Sequence, residues 1–216
     1  MEKEFKEELE KMIETQLVKR GITDERVLNA IRKTPRHLFV PEDSKHLAYE
    51  DHPLSIGYNQ TISQPYIVAL MTQLLDPKDT DKVLEIGTGS GWQAGILSFL
   101  CKEVYTVERI PELADFAKNN LEKLNIRNVH IFVKDGTKGL EEFSPYDKII
   151  VTCAAPQIPK ILIEQLKLKG KMVIPVGSFY SQELMLVRKI ASEKVEKEVV
   201  CGCVFVPMIG EYGFKE

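Results

Sequence analysis

The sequence has few of the features that mark secreted or membrane proteins. Its longest apolar run, residues 148–155, has the length of one strand and is far too short to span a bilayer. The first residues are acidic and polar, and no apolar segment follows them, so we expect no secretory signal peptide. These absences predict a cytoplasmic protein that has no membrane partner.

Cysteine and histidine are scarce, with four of each among 216 residues. Cys201 and Cys203 form a C-x-C pair, but no second pair stands at the spacing of a zinc site. In a strand the two would share one face, so we expect them to pack as small apolar side chains of a reduced protein. The histidines also lack metal-ligand spacing: His37, His46, His52 and His130. The sequence therefore predicts no bound metal.

A large excess of positive charge is absent too. The chain has 29 Lys and Arg against 32 Asp and Glu, a net charge of -3, and the two signs are interleaved. Nucleic-acid binding is therefore not expected. With 44% hydrophobic and 28% charged residues, the composition is that of an ordinary globular enzyme. The length suits a single domain, and we expect a monomer.

The first part of the chain predicts two helices followed by an irregular stretch. Residues 3–19 carry an apolar stripe opposite Glu and Lys, as in an amphipathic helix. A second helix is predicted from Thr23, a candidate N-cap, to about Lys33, where a Thr-Pro dipeptide ends it. Residues 34–63 are predicted to be irregular. A stretch of this length is expected to pack on the main domain or to serve the function.

From residue 63 onward, predicted helices and strands alternate along the chain. The helices are predicted at 65–75, 92–100, 111–124 and 158–166. The strands are predicted at 82–86, 103–107, 129–133, 148–152, 171–174, 183–189 and 196–206. This pattern predicts a Rossmann-like, doubly wound α/β/α fold with a mainly parallel sheet, N-terminal helices and a C-terminal strand extension. The single predicted domain, 1–216, divides into a substrate-side segment, a cofactor-binding core and C-terminal strands, at 1–62, 63–176 and 177–216.

A glycine-rich turn follows the first predicted strand of the core. Gly87, Gly89 and Gly91 let the backbone turn tightly and let a ligand approach the main chain. The dinucleotide fingerprint G-x-G-x-x-G would place its third glycine at Trp92, so the spacing argues against a nicotinamide cofactor. With Glu85 ahead of it, the turn is E-x-G-x-G-x-G and resembles motif I of the Rossmann-like methyltransferases. Their cofactor, S-adenosylmethionine, carries a sulfonium and an amino group, which a nearby carboxylate attracts.

Two further polar features stand at the ends of the next two predicted strands. Glu108 ends the second strand, where a carboxylate can accept hydrogen bonds from both ribose hydroxyls. Asp135 and Gly136 follow the third strand and, in the resembling methyltransferases, lie near the adenine. Open α/β sheets bind ligands at the carboxyl ends of their strands, so the three features predict one cofactor site.

A narrower resemblance covers most of the chain. Residues 54–65, LSIGYNQTISQP, resemble the signature of the protein-L-isoaspartate O-methyltransferase family. Other segments that resemble this family are 107–113, 144–147, 154–159, 162–167 and 173–177. The resemblance implies S-adenosylmethionine as cofactor and methyl transfer to the free carboxylate of isoaspartyl residues in damaged proteins and peptides.

The same resemblance implies a role for particular residues. Ser63 matches the family's active-site serine, and Gln60, Thr61 and Ile62 flank the reaction centre. The positions that match cofactor contacts are Gly87, Gly89, Glu108, Asp135, Gly136 and Thr137. The sequence departs from the common pattern at three places. Gln64 and Cys153 occupy positions where the family commonly has alanine, and Thr137 occupies a position where some members have arginine. None of these departures removes a group that the chemistry needs.

Ser63 suits this reaction because methylation of a carboxylate needs no general base. A free α-carboxyl group has a pKa of about 3.3–3.7 and is already ionised at neutral pH. The enzyme has to place it in line with the sulfonium methyl group. A neutral hydroxyl can orient one carboxylate oxygen and leave the other free to attack. The alternative is that Ser63 only caps the helix predicted at 65–75.

Three other functions are compatible with parts of the sequence. A methyltransferase of the same fold could act on RNA or on a small molecule, which predicts a basic or aromatic substrate face. A nicotinamide oxidoreductase is disfavoured by the glycine spacing. A non-catalytic binding module is disfavoured by the intact glycines and by Glu108.

Overall fold

The computed structural model describes residues 2–192 and 194–215, which form six α-helices and nine strands. The helices are α1 (Glu2–Met12), α2 (Glu25–Lys33), α3 (Pro65–Leu75), α4 (Trp92–Ser98), α5 (Pro111–Lys123) and α6 (Lys160–Gln165). The strands are β1 (Leu54–Gly57), β2 (Gln60–Ile62), β3 (Lys82–Ile86), β4 (Glu103–Glu108), β5 (Val129–Val133), β6 (Tyr146–Val151), β7 (Leu166–Gly177), β8 (Gln182–Lys189) and β9 (Val195–Cys203). Met1, Glu193 and Glu216 belong to the predicted domain 1–216 but lie outside the described residues.

Seven of the strands form one sheet in the order β5-β4-β3-β6-β7-β8-β9. The pairs from β5 to β7 are parallel, whereas β8 runs antiparallel to both β7 and β9. The predicted Rossmann-like, mainly parallel fold is confirmed. The strand order reverses between β3 and β6, and such a switch point opens a crevice beyond the carboxyl ends of the strands.

The centre of the sheet is buried on both faces, and most of the buried residues of β3 and β6 are apolar, as in a parallel sheet covered on both sides. On one face, Val83 and Ile150 pack in a cluster with Met71 of α3 and Leu97 of α4. The opposite face packs against α6 through Leu162. The helices therefore pack on both faces of the sheet, and the turn after β3 lies at the carboxyl ends of the parallel strands.

The N-terminal region differs from the sequence prediction in its details. The helix expected over 3–19 is α-helical only to Met12, and it continues as a π-helical turn over Ile13–Leu17 and a 3-10 turn. Asp24, not Thr23, caps α2, because its carboxylate accepts a hydrogen bond from the Arg26 backbone N–H at 2.9 Å. No helix among the described residues is long and apolar enough to cross a membrane.

The stretch expected to be irregular, 34–63, contains a β-hairpin. Strands β1 and β2 pair antiparallel, and Leu54 lies opposite Ile62. Tyr58 and Asn59 have φ angles of 54° and 56°, the conformation of a two-residue type I′ turn. In β1, buried and exposed residues alternate, a signal that the sequence reasoning missed. Ser63 follows the second strand of this hairpin and lies near the carboxyl ends of the parallel strands.

Candidate active site

A cleft opens beyond the carboxyl ends of β3, β4 and β6. It is bounded by the end of the hairpin, by the glycine-rich turn, by the residues that follow β4 and by the C-terminal segment 205–209. Eight predicted site residues line it: Gln60, Thr61, Ile62, Ser63, Gly87, Gly89, Glu108 and Gly136. Four others do not: Glu85, Gly91, Asp135 and Thr137. The structure therefore brings most of the predicted site together at the switch point of the sheet.

The turn after β3 is tight enough to require glycine. Gly87 has a φ of 97°, and a Cβ atom there would lie 2.5 Å from Oγ1 of Thr152. That hydroxyl donates a hydrogen bond to the Gly87 carbonyl at 2.6 Å. Gly91 has a φ of 86°, and a Cβ atom there would lie 3.1 Å from the Cβ of Ala117. Gly91 therefore allows α5 to pack closely and does not face the cleft.

Glu108 lies at the end of β4, is buried and is bound by three backbone N–H groups. One carboxylate oxygen accepts from Gly89 at 2.9 Å, and the other accepts from Arg109 at 2.8 Å and from Ile110 at 3.1 Å. A carboxylate has roughly four acceptor positions, so about one is left for a ligand hydroxyl. Glu108 therefore fixes the glycine turn as well as offering a charged acceptor to the cleft.

Glu85 lies behind the turn and is completely buried. One of its oxygens accepts a hydrogen bond from the Thr106 hydroxyl at 2.5 Å, and the other has no partner among the described residues. Burial, together with the negative charge of Glu108, raises the pKa of Glu85 to about 8. Thr106 also bonds Thr88 of the cleft wall at 2.7 Å. Glu85 thus reaches the cleft only through two threonines, because its own side chain points into the core.

Asp135 and Thr137 bind the C-terminal part of the chain instead of the cleft. The Asp135 carboxylate accepts from the Thr137 hydroxyl at 2.6 Å and from the backbone N–H of Glu211 at 3.0 Å. The Thr137 hydroxyl accepts from the backbone N–H of Tyr212 at 3.1 Å. Burial opposes ionisation, but the bonds from Thr137 and Glu211 outweigh it and hold the pKa of Asp135 below its ordinary value. Of the predicted D-G-T trio, only Gly136 lines the cleft.

The C-terminal segment forms a wall of the cleft that sequence reasoning did not find. Backbone N–H groups tie it to the residues after β6, with Ala154 donating to Val206 at 2.8 Å and Met208 donating to Ala154 at 2.7 Å. Residues 205–209 all line the cleft. They are more than fifty residues from the strand they join, so no local pattern indicates the contact.

Ser63 lies between the cleft and a second hollow. This outer hollow is lined by residues of the hairpin, of the start of α3 and of the end of β9, including Gln64, Gly202, Cys203 and Val204. The Ser63 hydroxyl makes no hydrogen bond with any described residue, and α3 begins after Gln64 without a side-chain cap. The capping alternative is therefore not what the structure has. The hydroxyl is available where the two hollows meet.

Gln93 is a further cleft residue that the sequence reasoning did not single out. Its amide N–H donates to the Thr72 hydroxyl at 3.0 Å, and its buried carbonyl oxygen has no partner among the described residues. A buried acceptor needs a donor, so this part of the cleft wall suits a ligand that carries an ammonium group. No group of three metal-ligating side chains was found among the described residues.

A doubly wound sheet with this glycine turn, this carboxylate and this cleft defines an S-adenosylmethionine-dependent methyltransferase. Comparison with known families gives the particular kind. The sequence model of the protein-L-isoaspartate(D-aspartate) O-methyltransferase family matches residues 7–213, and the chain belongs to that family. It is an O-methyltransferase that initiates repair at isoaspartyl residues.

Relatives that carry the family's name cover 91–100% of the chain. The protein-L-isoaspartate O-methyltransferase of Petrotoga mobilis is 51% identical over 98% of this chain and 100% of its own. That of Methanopyrus kandleri is 51% identical over 100% of this chain and 97% of its own. That of Dictyoglomus turgidum is 56% identical over 91% and 89%. These identities, over nearly full lengths, place the whole chain within the family.

Solved structures agree with the sequence relatives. A protein-L-isoaspartate O-methyltransferase superimposes with a TM-score of 0.86 at 29% identity, over 95% of this chain and 67% of that one. A putative protein-L-isoaspartate O-methyltransferase from Plasmodium falciparum, in complex with S-adenosyl-L-homocysteine, gives a TM-score of 0.81 at 26% identity, over 94% and 97%. The fold around the cleft is thus that of the family.

Proposed function

We propose that the cleft and the outer hollow divide the reaction between them. The cleft holds S-adenosylmethionine, and the outer hollow admits the isoaspartyl segment of a damaged protein. Ser63, where the two meet, orients the substrate carboxylate for methylation. The single observation that carries this assignment is the Ser63 hydroxyl, which has no partner among the described residues and does not cap α3.

The cofactor is assigned to the residues of the turn and of the strand ends. When bound, S-adenosylmethionine supplies a methyl group on a positively charged sulfur. Glu108 is already oriented by three backbone N–H groups and would accept a ribose hydroxyl without further ordering. Gly87, Gly89 and Gly136 let the main chain approach the cofactor. Asp135 and Thr137 would act on it indirectly, by holding the C-terminal wall.

Ser63 would orient the carboxylate without neutralising it. The free carboxylate of an isoaspartyl residue is an α-carboxyl group and is ionised at neutral pH, so no side chain has to remove a proton. The hydroxyl can donate one hydrogen bond to one oxygen and leave the second oxygen free to attack the methyl group. Placement of the two reacting groups supplies the rate enhancement. Gln60, Thr61 and Ile62 would confine the substrate on the hairpin side of the cleft.

The methyl ester carries methanol as a leaving group, which the free carboxylate lacks. The backbone amide nitrogen of the following residue would attack the ester carbonyl and expel methanol to close a succinimide, and hydrolysis of this ring by water would return some isoaspartate to aspartate. Transfer to RNA or to a small molecule is the competing reaction for this fold. The experiment is methyl transfer to two peptides that differ only in one isoaspartyl or aspartyl linkage, with an RNA as third acceptor. We expect label in the isoaspartyl peptide alone. Equal labelling of both peptides, or labelling of the RNA, would contradict the proposal.

We further propose that the protein acts as a monomer in a reducing cytoplasm. The four cysteines are free, two of them buried, which fits a reduced protein. Light scattering after size-exclusion chromatography should give the mass of one chain, 24.6 kDa. A stable dimer mass at micromolar concentration would overturn the monomer.

A further inference from the structure

Arg36 is a fully buried cation that binds only neutral groups. Its guanidinium donates to the backbone carbonyls of Ala48 at 2.6 Å, His52 at 3.1 Å and Ser63 at 3.0 Å. None of the described carboxylates lies within ion-pairing distance. Burial lowers the pKa of Arg36 to about 10, so the group stays charged at neutral pH. A charge is costly to bury, and every hydrogen bond that this one donates to a described residue goes to a backbone oxygen.

The three carbonyls belong to separate parts of the stretch between α2 and α3. Ala48 ends a 3-10 turn, His52 lies in the bend before the hairpin, and Ser63 lies just after it. The guanidinium also lies 5.3 Å from the ring centre of Trp92, the first residue of the helix after the glycine turn. The Trp92 indole N–H donates to the Thr34 carbonyl at 2.8 Å. The Arg36 side chain therefore contacts both the Ser63 backbone and the first residue of the helix that follows the glycine turn.

This connection matters because the Ser63 hydroxyl makes no hydrogen bond with any described residue. The position of its hydroxyl depends on its backbone. Among the residues that the structure describes, the one side-chain hydrogen bond to that backbone comes from Arg36. We propose that Arg36 is a positioning residue, which holds the Ser63 backbone so that the hydroxyl meets the substrate carboxylate in line with the methyl donor. The proposal rests on the function assigned above to Ser63.

The chain offers a matched control at the opposite edge of the sheet. Lys189 is also buried and also donates to three backbone carbonyls, those of Ile163 at 2.7 Å, Glu164 at 3.3 Å and Leu166 at 2.7 Å. Leu166 begins β7, so this cluster lies at the amino ends of the parallel strands, away from the cleft. Loss of Lys189 should cost stability as loss of Arg36 does, without reaching Ser63.

The experiment compares Arg36→Gln, Arg36→Lys and Lys189→Met with the native enzyme, at a temperature where each is folded. For Arg36→Gln we expect kcat on an isoaspartyl peptide to fall about tenfold to a hundredfold, because small misplacements of reacting groups have effects of this size. The affinity for S-adenosylhomocysteine, measured by calorimetry, should change less than about threefold. Arg36→Lys should recover part of kcat, because it keeps the charge and one or two of the bonds. Lys189→Met should lower the melting temperature and leave kcat within about twofold of native.

A structural readout makes the result independent of activity. Amide hydrogen exchange of residues 60–64 should be faster in Arg36→Gln, and unchanged in Lys189→Met. If Arg36→Gln does not fold, Arg36→Lys takes its place in both measurements. Native kcat with native exchange in the Arg36 variants would overturn the proposal, and so would an equal loss of kcat in Lys189→Met. If the native enzyme labels no isoaspartyl peptide, the proposed function fails, and the exchange comparison still decides whether Arg36 holds this segment.

Discussion

The two sides of the active site are built in different ways. On the cofactor side, the Glu108 carboxylate accepts a hydrogen bond from the backbone N–H of Gly89 in the glycine turn and two more from those of Arg109 and Ile110. On the substrate side, Ser63 stands between a hairpin, the start of a helix and the end of β9, and its hydroxyl is free of bonds with the described residues. The cofactor side is therefore held by hydrogen bonds within the protein, whereas the substrate side keeps a polar group available for the carboxylate.

The difference suggests that binding and turnover can be separated by mutation. Changes on the cofactor side should act on the affinity for the methyl donor. Changes on the substrate side should act on the methyl-transfer step at full cofactor occupancy. A variant that moves both quantities together would mean that the two sides are one unit.

The largest effect on the cofactor side is expected for Glu108→Ala. The cofactor loses a charged acceptor, and the turn loses its bond from Gly89. Hydrogen bonds to a charged group contribute about 1.5–3 kcal/mol each, so we expect affinity for S-adenosylhomocysteine to fall about tenfold to a hundredfold. Titration calorimetry measures it. Glu103→Ala, at the other end of β4, is the control and should bind normally. Native affinity in Glu108→Ala would mean that the carboxylate serves only the backbone.

A smaller effect is expected for Asp135→Asn. The substitution removes the charge that holds the backbone N–H of Glu211, and the C-terminal wall should loosen. We expect faster amide exchange at residues 211–212 and a several-fold weaker cofactor affinity, consistent with a loss of about 1 kcal/mol. The pKa of Asp135 is lowered in the folded protein, so its contribution is present above the unfolded pKa and is lost as the pH falls through the folded one.

The control for Asp135→Asn removes a charge from the same segment. Glu211 pairs with Lys138 at 2.6 Å, but both side chains are about half exposed. An exposed pair contributes little, so Glu211→Gln should leave the exchange at residues 211–212 nearly native. An equal increase in both variants would show that net charge, and not the bond to Asp135, holds the wall.

The smallest effect on cofactor binding is expected for Glu85→Gln. The main effect of this substitution should be on the pH dependence of folding stability. The folded pKa is raised to about 8 from an ordinary 4.5, so the unfolded chain ionises first and folding stability falls as the pH rises between these values. Glutamine does not ionise and should flatten the melting temperature over this window. An unchanged slope in Glu85→Gln would mean that Glu85 does not carry the effect.

The sequence predicted those parts of the site that local pattern determines. Gly87, Gly89 and Glu108 stand at the ends of neighbouring strands, and the rule that parallel strands bind ligands at their carboxyl ends brings them together. Local pattern could not indicate the contact of the Asp135 carboxylate with the backbone of Glu211, because the two are 76 residues apart. A contact of Asp135 with the cofactor stays a prediction. A position at the end of a strand locates the residue, but it does not indicate which groups the side chain contacts.

The substrate side was harder to predict for the same physical reason. Ser63 was predicted from the family resemblance and not from local pattern. A serine just before a helix that begins with proline is equally typical of a helix cap. The hairpin that carries it was missed, although its alternation and its Tyr58-Asn59 turn are present in the sequence. Arg36 gives no sequence signal at all, because a buried arginine that binds carbonyls has no partner type to search for.

The measurement that tests the division of the site most directly is the single-turnover rate of Ser63→Ala. An isoaspartyl peptide is mixed with enzyme saturated with S-adenosylmethionine, and affinity for S-adenosylhomocysteine is measured on the same preparation. We expect the rate to fall at least about tenfold with cofactor affinity unchanged, and Ser63→Thr to lie between native and Ala. Full single-turnover rate in a folded Ser63→Ala enzyme would contradict the account, since the hydroxyl would then orient nothing.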